Sequence, residues 1–444
     1  MSSTFDALNL HPPLLTALQE MGFTHPTPIQ QKAFSVIMSG RDVVGIAQTG
    51  TGKTFAYLLP ILRQLPFSNQ KDPRVLILVP TRELVVQVVG EIKKLSAYLT
   101  VRVEGVYGGV NINTQKQVVS QGLDILVATP GRLMDLALTR TLLLKSVRQL
   151  VIDEVDEMLN LGFRSQLTTI FDLLPRKRQN LLFSATMTEE VDALIETFFN
   201  GPQYIEATPA GTPLEKIRQS AYRVPNFFTK LNLLEHLLEQ DDTLRKVLIF
   251  AATKKMADQI YERLEKIFPG QFSPIHSDKS QNFRFKAVQQ FQEGALRGLV
   301  TTDLLARGLD LTDISHVINV DTPDSSEAYI HRIGRTGRAD TEGASITFVA
   351  DAEQAYLEEI ETSMHKKIPL LPFPEEVPVS TEYTREELYA GPEKNYLKPP
   401  PALKHSQGAF QEKLEKNRKV NRGNAAINAK KRKYKKPIKK APKR

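Results

Sequence analysis

The stretch Ala47-Gln48-Thr49-Gly50-Thr51-Gly52-Lys53-Thr54 follows the apolar run Val43-Val44-Gly45-Ile46 and opens an amphipathic helical pattern from Phe55 to Leu65. A strand, a glycine-rich turn and a helix N-terminus in that order make a phosphate cradle, because backbone N–H groups and the helix dipole converge on one point. Lys53 can reach the β and γ groups of a nucleoside triphosphate there, and the Thr54 hydroxyl is placed to ligand Mg²⁺. The strict pattern carries glycine where this chain has Ala47. A glycine-rich turn with an incidental lysine is the competing reading.

One hundred residues after Lys53, the apolar run Leu150-Val151-Ile152 delivers Asp153-Glu154 to the end of a parallel strand. Two acids facing a phosphate loop divide the work: Asp153 helps hold Mg²⁺, partly through water, and Glu154 orients or deprotonates the attacking water. Taken alone, the pair also fits an acidic helix N-cap.

The runs Val75–Val79, Ile125–Val127, Leu150–Ile152 and Leu181–Phe183 alternate with amphipathic segments, the signature of a parallel sheet covered on both faces. Turn residues from Glu206 to Pro213 interrupt the pattern. It restarts with Val247–Phe250, Gly298–Val300, His316–Val320 and Ala344–Val349, without a second phosphate loop. Two α/β units sharing one loop place the nucleotide between them. The expected organisation is domain one over 1–207, a linker over 208–215, domain two over 216–367, and a disordered tail over 368–444 that is Pro-rich and then Lys/Arg-rich.

Composition sets the outer limits. The 444 residues contain 41% hydrophobic side chains and no cysteine, which excludes disulfides and thiolate metal sites. No stretch approaches the length of a membrane span and the N-terminus lacks an export signal, so a soluble, cytoplasmic protein with no membrane partner is expected. The net charge is +8, yet residues 404–444 alone carry +14, which leaves −6 on the rest. An acidic body therefore carries a cationic tail.

Together the motifs resemble those of the DEAD-box RNA helicases, over residues 5 to 365. The resemblance implies two RecA-like domains with ATP and Mg²⁺ in the cleft between them, and RNA as partner. Gly22-Phe23-Thr24-His25-Pro26-Thr27-Pro28-Ile29-Gln30 looks like the Q motif, with Phe5 as its upstream aromatic. Gln30 then reads adenine through its amide, as glutamine can, Phe23 lies at the nucleotide, and Phe5 either stacks on the base or belongs to the core. Ser184-Ala185-Thr186 is similar to the coupling motif, in which two hydroxyls bond the acidic motif; Asp156 and His331 complete that link. Ala306-Arg307-Gly308-Leu309-Asp310 and His331-Arg332-Ile333-Gly334-Arg335-Thr336-Gly337-Arg338 match late helicase motifs. They imply Gly308 and Asp310 at the nucleotide and Arg335 and Arg338 as arginine fingers.

The RNA clamp implied by the family comprises Pro80, Thr81, Arg82, Gly108, Gly109, Thr129, Pro130, Gly131 and Arg132 in the first domain, with Gln281, Arg284 and Thr301 in the second. Backbone amides, hydroxyls and guanidinium groups there meet phosphates and 2′-OH groups with little sequence preference. Two departures stand out: Val155 replaces the family's alanine in Asp153-Glu154-Val155-Asp156, and Ser277 replaces a usual glycine. The pattern looks most like the bacterial RhlE-like branch. The expected activity is local, ATP-dependent unwinding or remodelling of RNA, with an ATP-gated RNA clamp or assembly scaffold as the alternative and a DNA helicase less favoured. The tail is expected to tether RNA nonspecifically; a solvated extension, docking to ribonucleoprotein or RNA-decay partners, and nuclear import in a eukaryote are its competing roles.

Overall fold

A computed structural model describes residues 4–47, 51–206, 217–303, 311, 314–337 and 343–389. Seven strands form the first sheet: β1 (Val43–Ile46), β2 (Val75–Leu78), β3 (Val103–Val106), β4 (Ile125–Ala128), β5 (Gln149–Asp153), β6 (Gln179–Ser184) and β7 (Gln203–Glu206). Seven more form the second: β8 (Ile217–Arg223), β9 (Val247–Phe250), β10 (Phe272–Ile275), β11 (Gly298–Thr301), β12 (His316–Asn319), β13 (Gly343–Val349) and β14 (Leu370–Leu371). Every pairing is parallel. The spatial orders are β3-β4-β2-β5-β6-β1-β7 and β10-β11-β9-β12-β13-β8-β14, which are the same topology used twice. Both sheets lie in one compact unit ending at Leu388.

The apolar runs form strands because helices cover both faces of each sheet, so successive side chains are buried on opposite sides. Val43, Val75, Ile77, Val127, Val151 and Leu181 enter one core. Their neighbours Val44, Leu76, Leu78, Leu126, Leu150 and Leu182 enter the other. Among the described residues no helix is long and apolar enough to cross a membrane.

Register positions the chemistry. Ile46 lies opposite Ser184, and Phe183 opposite Asp153, so β1, β6 and β5 end side by side on adjacent strands about 4.8 Å apart. The phosphate loop, the serine of the coupling motif and the first acid leave the sheet at one edge.

The expected apolar runs are strands, and β3, β7, β8, β10 and β14 add to them. Four of these five are edge strands. An edge strand needs less apolar character and tolerates Pro274 in β10, since its outer hydrogen-bonding side has no partner. The expected linker, 208–215, lies outside the described residues. The expected onset of a disordered tail at 368 is corrected: Ile368 and Val377 are buried, β14 pairs with β8, and the helix Arg385–Tyr389 follows. Proline excludes helix there, yet an extended segment can still add to a sheet edge. Residues 390–444, which include the cationic stretch, lie outside the described residues.

Candidate functional site

The helix Lys53–Gln64 begins directly after Gly52, whose φ of +87° suits glycine. A Cβ at Gly52 would come within 2.5 Å of Gln30 Nε2. Ala47 N–H donates to the Ser184 carbonyl at 3.0 Å, tying the start of the loop to β6. Thr51, Gly52, Lys53 and Thr54 are therefore held at the sheet edge, while Gln48, Thr49 and Gly50 lie outside the described residues. Lys53 is buried, and its Nζ has no hydrogen-bond partner among the described residues. A buried ammonium with unused donors is complementary to an anion.

Gln30 sits beneath this loop. Its Oε1 accepts from Thr27 N–H at 2.9 Å, capping the helix Pro28–Met38, and its Nε2 donates to the Gly52 carbonyl at 3.2 Å. Both ends of the amide thus bond protein in this structure. Phe23 is 44% exposed and meets the Phe55 ring edge-on at 5.2 Å. Phe5 is 4% exposed and packs in the core, so the stacking alternative for Phe5 is not realised.

At the end of β5, Glu154 adopts a left-handed backbone, φ 53°, at the N-cap of the helix Val155–Asn160, yet its side chain makes no capping hydrogen bond. A non-glycine residue in that region costs energy and marks a functional turn. Asp153 Oδ1 accepts from Glu154 N–H at 3.0 Å, and Oδ2 from the Tyr57 hydroxyl at 2.9 Å. Burial pushes the Asp153 carboxyl above its ordinary range, although Lys53 and Tyr57 work against it. Burial likewise raises Glu154, opposed by Lys53 and Arg335. Burial and the Asp153 charge raise the Tyr57 phenol.

Asp156 behaves differently. Burial opposes its charge, but His331, Lys53 and the Thr186 hydrogen bonds outweigh burial and hold it below the carboxylate range. Its Oδ2 accepts from Ala185 N–H, Thr186 N–H and the Thr186 hydroxyl at 3.1, 3.0 and 3.0 Å. The expectation of two hydroxyls on the acidic motif is corrected, because the Ser184 hydroxyl donates instead to the Thr186 carbonyl at 2.7 Å. Ser184 closes the turn that aims Thr186.

Lys53, Glu154, Asp156, Glu157 and Ala185 of the first domain share one pocket with His331 and Arg335 of the second. Arg335 is 3% exposed, and its Nε donates to the His331 carbonyl. Arg338, Gly308 and Asp310 lie outside the described residues. The donor set suits magnesium: a carboxylate at Asp153 and a hydroxyl at Thr54 are hard oxygen ligands beside an ammonium that awaits phosphate.

Residues expected at RNA form a second cluster. Thr81, after Pro80, caps the helix Arg82–Leu95 by accepting from Leu84 N–H. The Arg82 guanidinium lies over Gly109, where a Cβ would collide with it, and Nη1 reaches Gln281 Oε1 at 3.5 Å. Gly108 and Gly109 belong to the turn after β3. Arg284 pairs with Glu83 at 2.9 Å, each side chain 7% exposed, and also bonds Gln281. Gln281 Nε2 donates to the same Glu83 carboxylate at 3.0 Å.

Thr129 precedes the helix Pro130–Leu138, and Gly131 faces open space. Arg132 points inward, donating to Gln115 Oε1 at 2.6 Å and the Val110 carbonyl at 3.0 Å, so it braces the Gly108–Gly109 turn. Thr301 is buried, its hydroxyl on the Thr302 carbonyl. Sequence reading placed Glu83 within the clamp motif Pro80-Thr81-Arg82-Glu83-Leu84 but gave it no partner, and it missed Tyr57. A hydroxyl in an apolar helix face was the only available signal for Tyr57.

Comparisons with known proteins agree with this layout. The DEAD/DEAH box helicase model matches residues 27–194, and the helicase conserved C-terminal domain model matches residues 229–340. The chain is 38% identical over 399 residues to an ATP-dependent RNA helicase CshA of Listeria monocytogenes, across 87% of this chain and 72% of the relative. To a DEAD-box ATP-dependent RNA helicase CshA of Bacillus subtilis it is 37% identical over 371 residues, 83% and 74% of the two chains. S. cerevisiae Dbp5 bound to RNA and ADP BeF3 is similar in structure, with a TM-score of 0.76 and 29% identity, covering 83% of this chain and 95% of that one. Both sheets thus match, each in its proper place along the sequence, and the chain belongs to the DEAD/DEAH box helicase family.

Proposed function

We infer that this chain is an ATP-dependent RNA helicase that hydrolyses ATP when nucleotide and RNA together hold its two sheets closed. One observation carries the reading: His331 and Arg335 from the second sheet line the same pocket as Lys53, Glu154 and Asp156 from the first. Lys53 binds the β and γ phosphates, Glu154 orients the attacking water, and Arg335 offsets charge on the transferring phosphoryl group. Thr54 and Asp153 would hold magnesium, partly through water, and the ion would neutralise phosphate charge. Asp156 joins Thr186 to His331, so the pocket is complete only with both sheets in place.

RNA engages Arg82, the Gly108–Gly109 turn and the N-terminus of the helix Pro130–Leu138, where N–H groups and guanidinium suit phosphate. Adenine selection by Gln30 requires its amide to leave the Gly52 carbonyl as the base arrives. The sequence pattern favours the RhlE-like branch, whereas the relatives above carry the CshA name. We place the chain in the cytoplasm, in keeping with its lack of cysteine, and we assign the cationic tail a tethering role toward RNA.

The test is ATP turnover with matched RNA and DNA oligonucleotides, in wild type and Glu154→Gln. RNA alone should stimulate wild type. Glu154→Gln should keep ATP and RNA bound together while hydrolysis slows by about 10² or more. Equal stimulation by DNA, or unchanged RNA release in the variant, refutes the reading.

A further inference from the structure

Tyr57 stands four residues after Lys53 on the helix that the phosphate loop opens, and its side chain is fully buried. Its hydroxyl donates to Asp153 Oδ2 at 2.9 Å. Thr54, the expected hydroxyl ligand, lies one turn earlier on the same helix. The other Asp153 oxygen is occupied by Glu154 N–H, so both carboxylate oxygens have a fixed donor.

Packing keeps that hydroxyl in place. The Tyr57 ring lies against Phe183 of β6, centroids 5.3 Å apart, and Phe183 fills the space over Gly45 of β1, where a Cβ would come within 2.6 Å of its ring. A phenylalanine at 57 has the same ring and would fill the same volume. The hydroxyl is therefore accounted for by its polar partner, since a buried O–H without one is costly.

We propose that Tyr57 is a positioning residue for ATP hydrolysis, its hydroxyl holding the Asp153 carboxylate toward the magnesium site. Tyr57 O–H donates to Asp153 Oδ2. Asp153 is thereby held in one orientation by a donor that brings no positive charge to compete with the metal. The inference rests on the assignment of Thr54 and Asp153 to magnesium.

The experiment compares full-length wild type, Tyr57→Phe and Asp153→Asn. Three quantities are measured: the Mg²⁺ midpoint of RNA-stimulated turnover, the affinity for ADP in EDTA, and the affinity for Mn²⁺ in the presence of ADP, read by electron paramagnetic resonance. Tyr57→Phe should raise the Mg²⁺ midpoint about tenfold, equivalent to ~1.4 kcal/mol, and weaken Mn²⁺ by the same factor. ADP affinity in EDTA should not move, and turnover at saturating Mg²⁺ should return to within about threefold of wild type.

Unchanged Mg²⁺ and Mn²⁺ affinities in Tyr57→Phe, with Asp153→Asn weakened, overturn the role of Tyr57 alone. Unchanged Mn²⁺ affinity in Asp153→Asn overturns the metal assignment beneath it. Should Tyr57→Phe unfold below assay temperature, the double variant is compared with Asp153→Asn, since that change removes the charge left unsatisfied. Equal Mn²⁺ affinities of these two support the action of Tyr57 through Asp153, and a further loss of about tenfold in the double variant overturns it.

Discussion

Lys53 holds a buried ammonium with no hydrogen-bond partner among the described residues, a cost on the order of 1–3 kcal/mol, which its attraction to Asp153, Glu154 and Asp156 offsets in part. Lys53→Ala should abolish turnover and weaken ATP binding; it removes unsatisfied donors but also the countercharge of three buried carboxylates, so the melting temperature of the nucleotide-free protein should change little. Calorimetric titration and thermal melting check the two halves, and a large drop in melting temperature would contradict this account of the site. Asp124 is the opposite case, a buried acid with its needs met. It accepts from Arg74 at 2.7 Å and from Arg102 Nε at 3.0 Å. Burial alone would raise its pKa, but the guanidinium and backbone bonds outweigh burial and lower it. With the folded value below the unfolded one of about 3.9, this stabilisation is full above that range and is lost as pH falls through the folded value. Asp124→Asn should cost about 3–5 kcal/mol near neutrality and flatten the acid limb of a stability-against-pH curve. Lys53, Asp153 and Glu154 were legible in the sequence because phosphate chemistry fixes their type and spacing after apolar runs. Tyr57 and the pairing of Glu83 were not, since each draws on a partner 96 or more residues away.

Between single side chains and the whole protein lie the strands, whose legibility depended on burial. Central strands such as β2 and β9 are apolar throughout, whereas β7 exposes three of its four residues and β10 contains a proline. The segment after Lys367 hid for the same reason. It pairs with β8 through the edge strand β14, and then ties down the helix Phe227–Gln240: Asn226 Nδ2 donates to the Ser380 carbonyl at 2.6 Å, Ser380 N–H to Thr229 Oγ1 at 3.0 Å, and Phe227 N–H to Glu387 Oε1 at 2.7 Å. Removing residues 389–444 should leave the melting temperature of the body unchanged. Cutting after Lys367 should lower it sharply, since Ile368 and Val377 together contribute about 3–6 kcal/mol of burial. Equal melting of the two truncations would show that this strap contributes nothing.

At the scale of the molecule, the two sheets meet through Glu83, Gln281 and Arg284. Because the Glu83–Arg284 pair is buried, removing one partner strands the other charge. Glu83→Gln should reduce the coupling between nucleotide and RNA: the gain in RNA affinity caused by a nonhydrolysable ATP analogue should fall about tenfold. An unchanged gain would mean that closure does not use this pair. The cationic stretch predicts a separate effect. Removing residues 404–444 deletes +14, so RNA affinity should weaken at low salt and its salt dependence become shallower by about 0.7 for each phosphate that the tail no longer neutralises. Identical slopes with and without it would reject the tether. The repeated strand order has one more consequence. By topology, β8 and the helix Phe227–Gln240 are the counterparts of β1 and the phosphate-loop helix. In this second copy the anion at the helix N-terminus is the chain's own Glu387, and the buried Lys230 is already neutralised by Asp321 and Glu353 at 3.4 and 2.9 Å. The molecule thus owns two seats of one design and has filled one of them with itself, so a titration should end at a single nucleotide per chain.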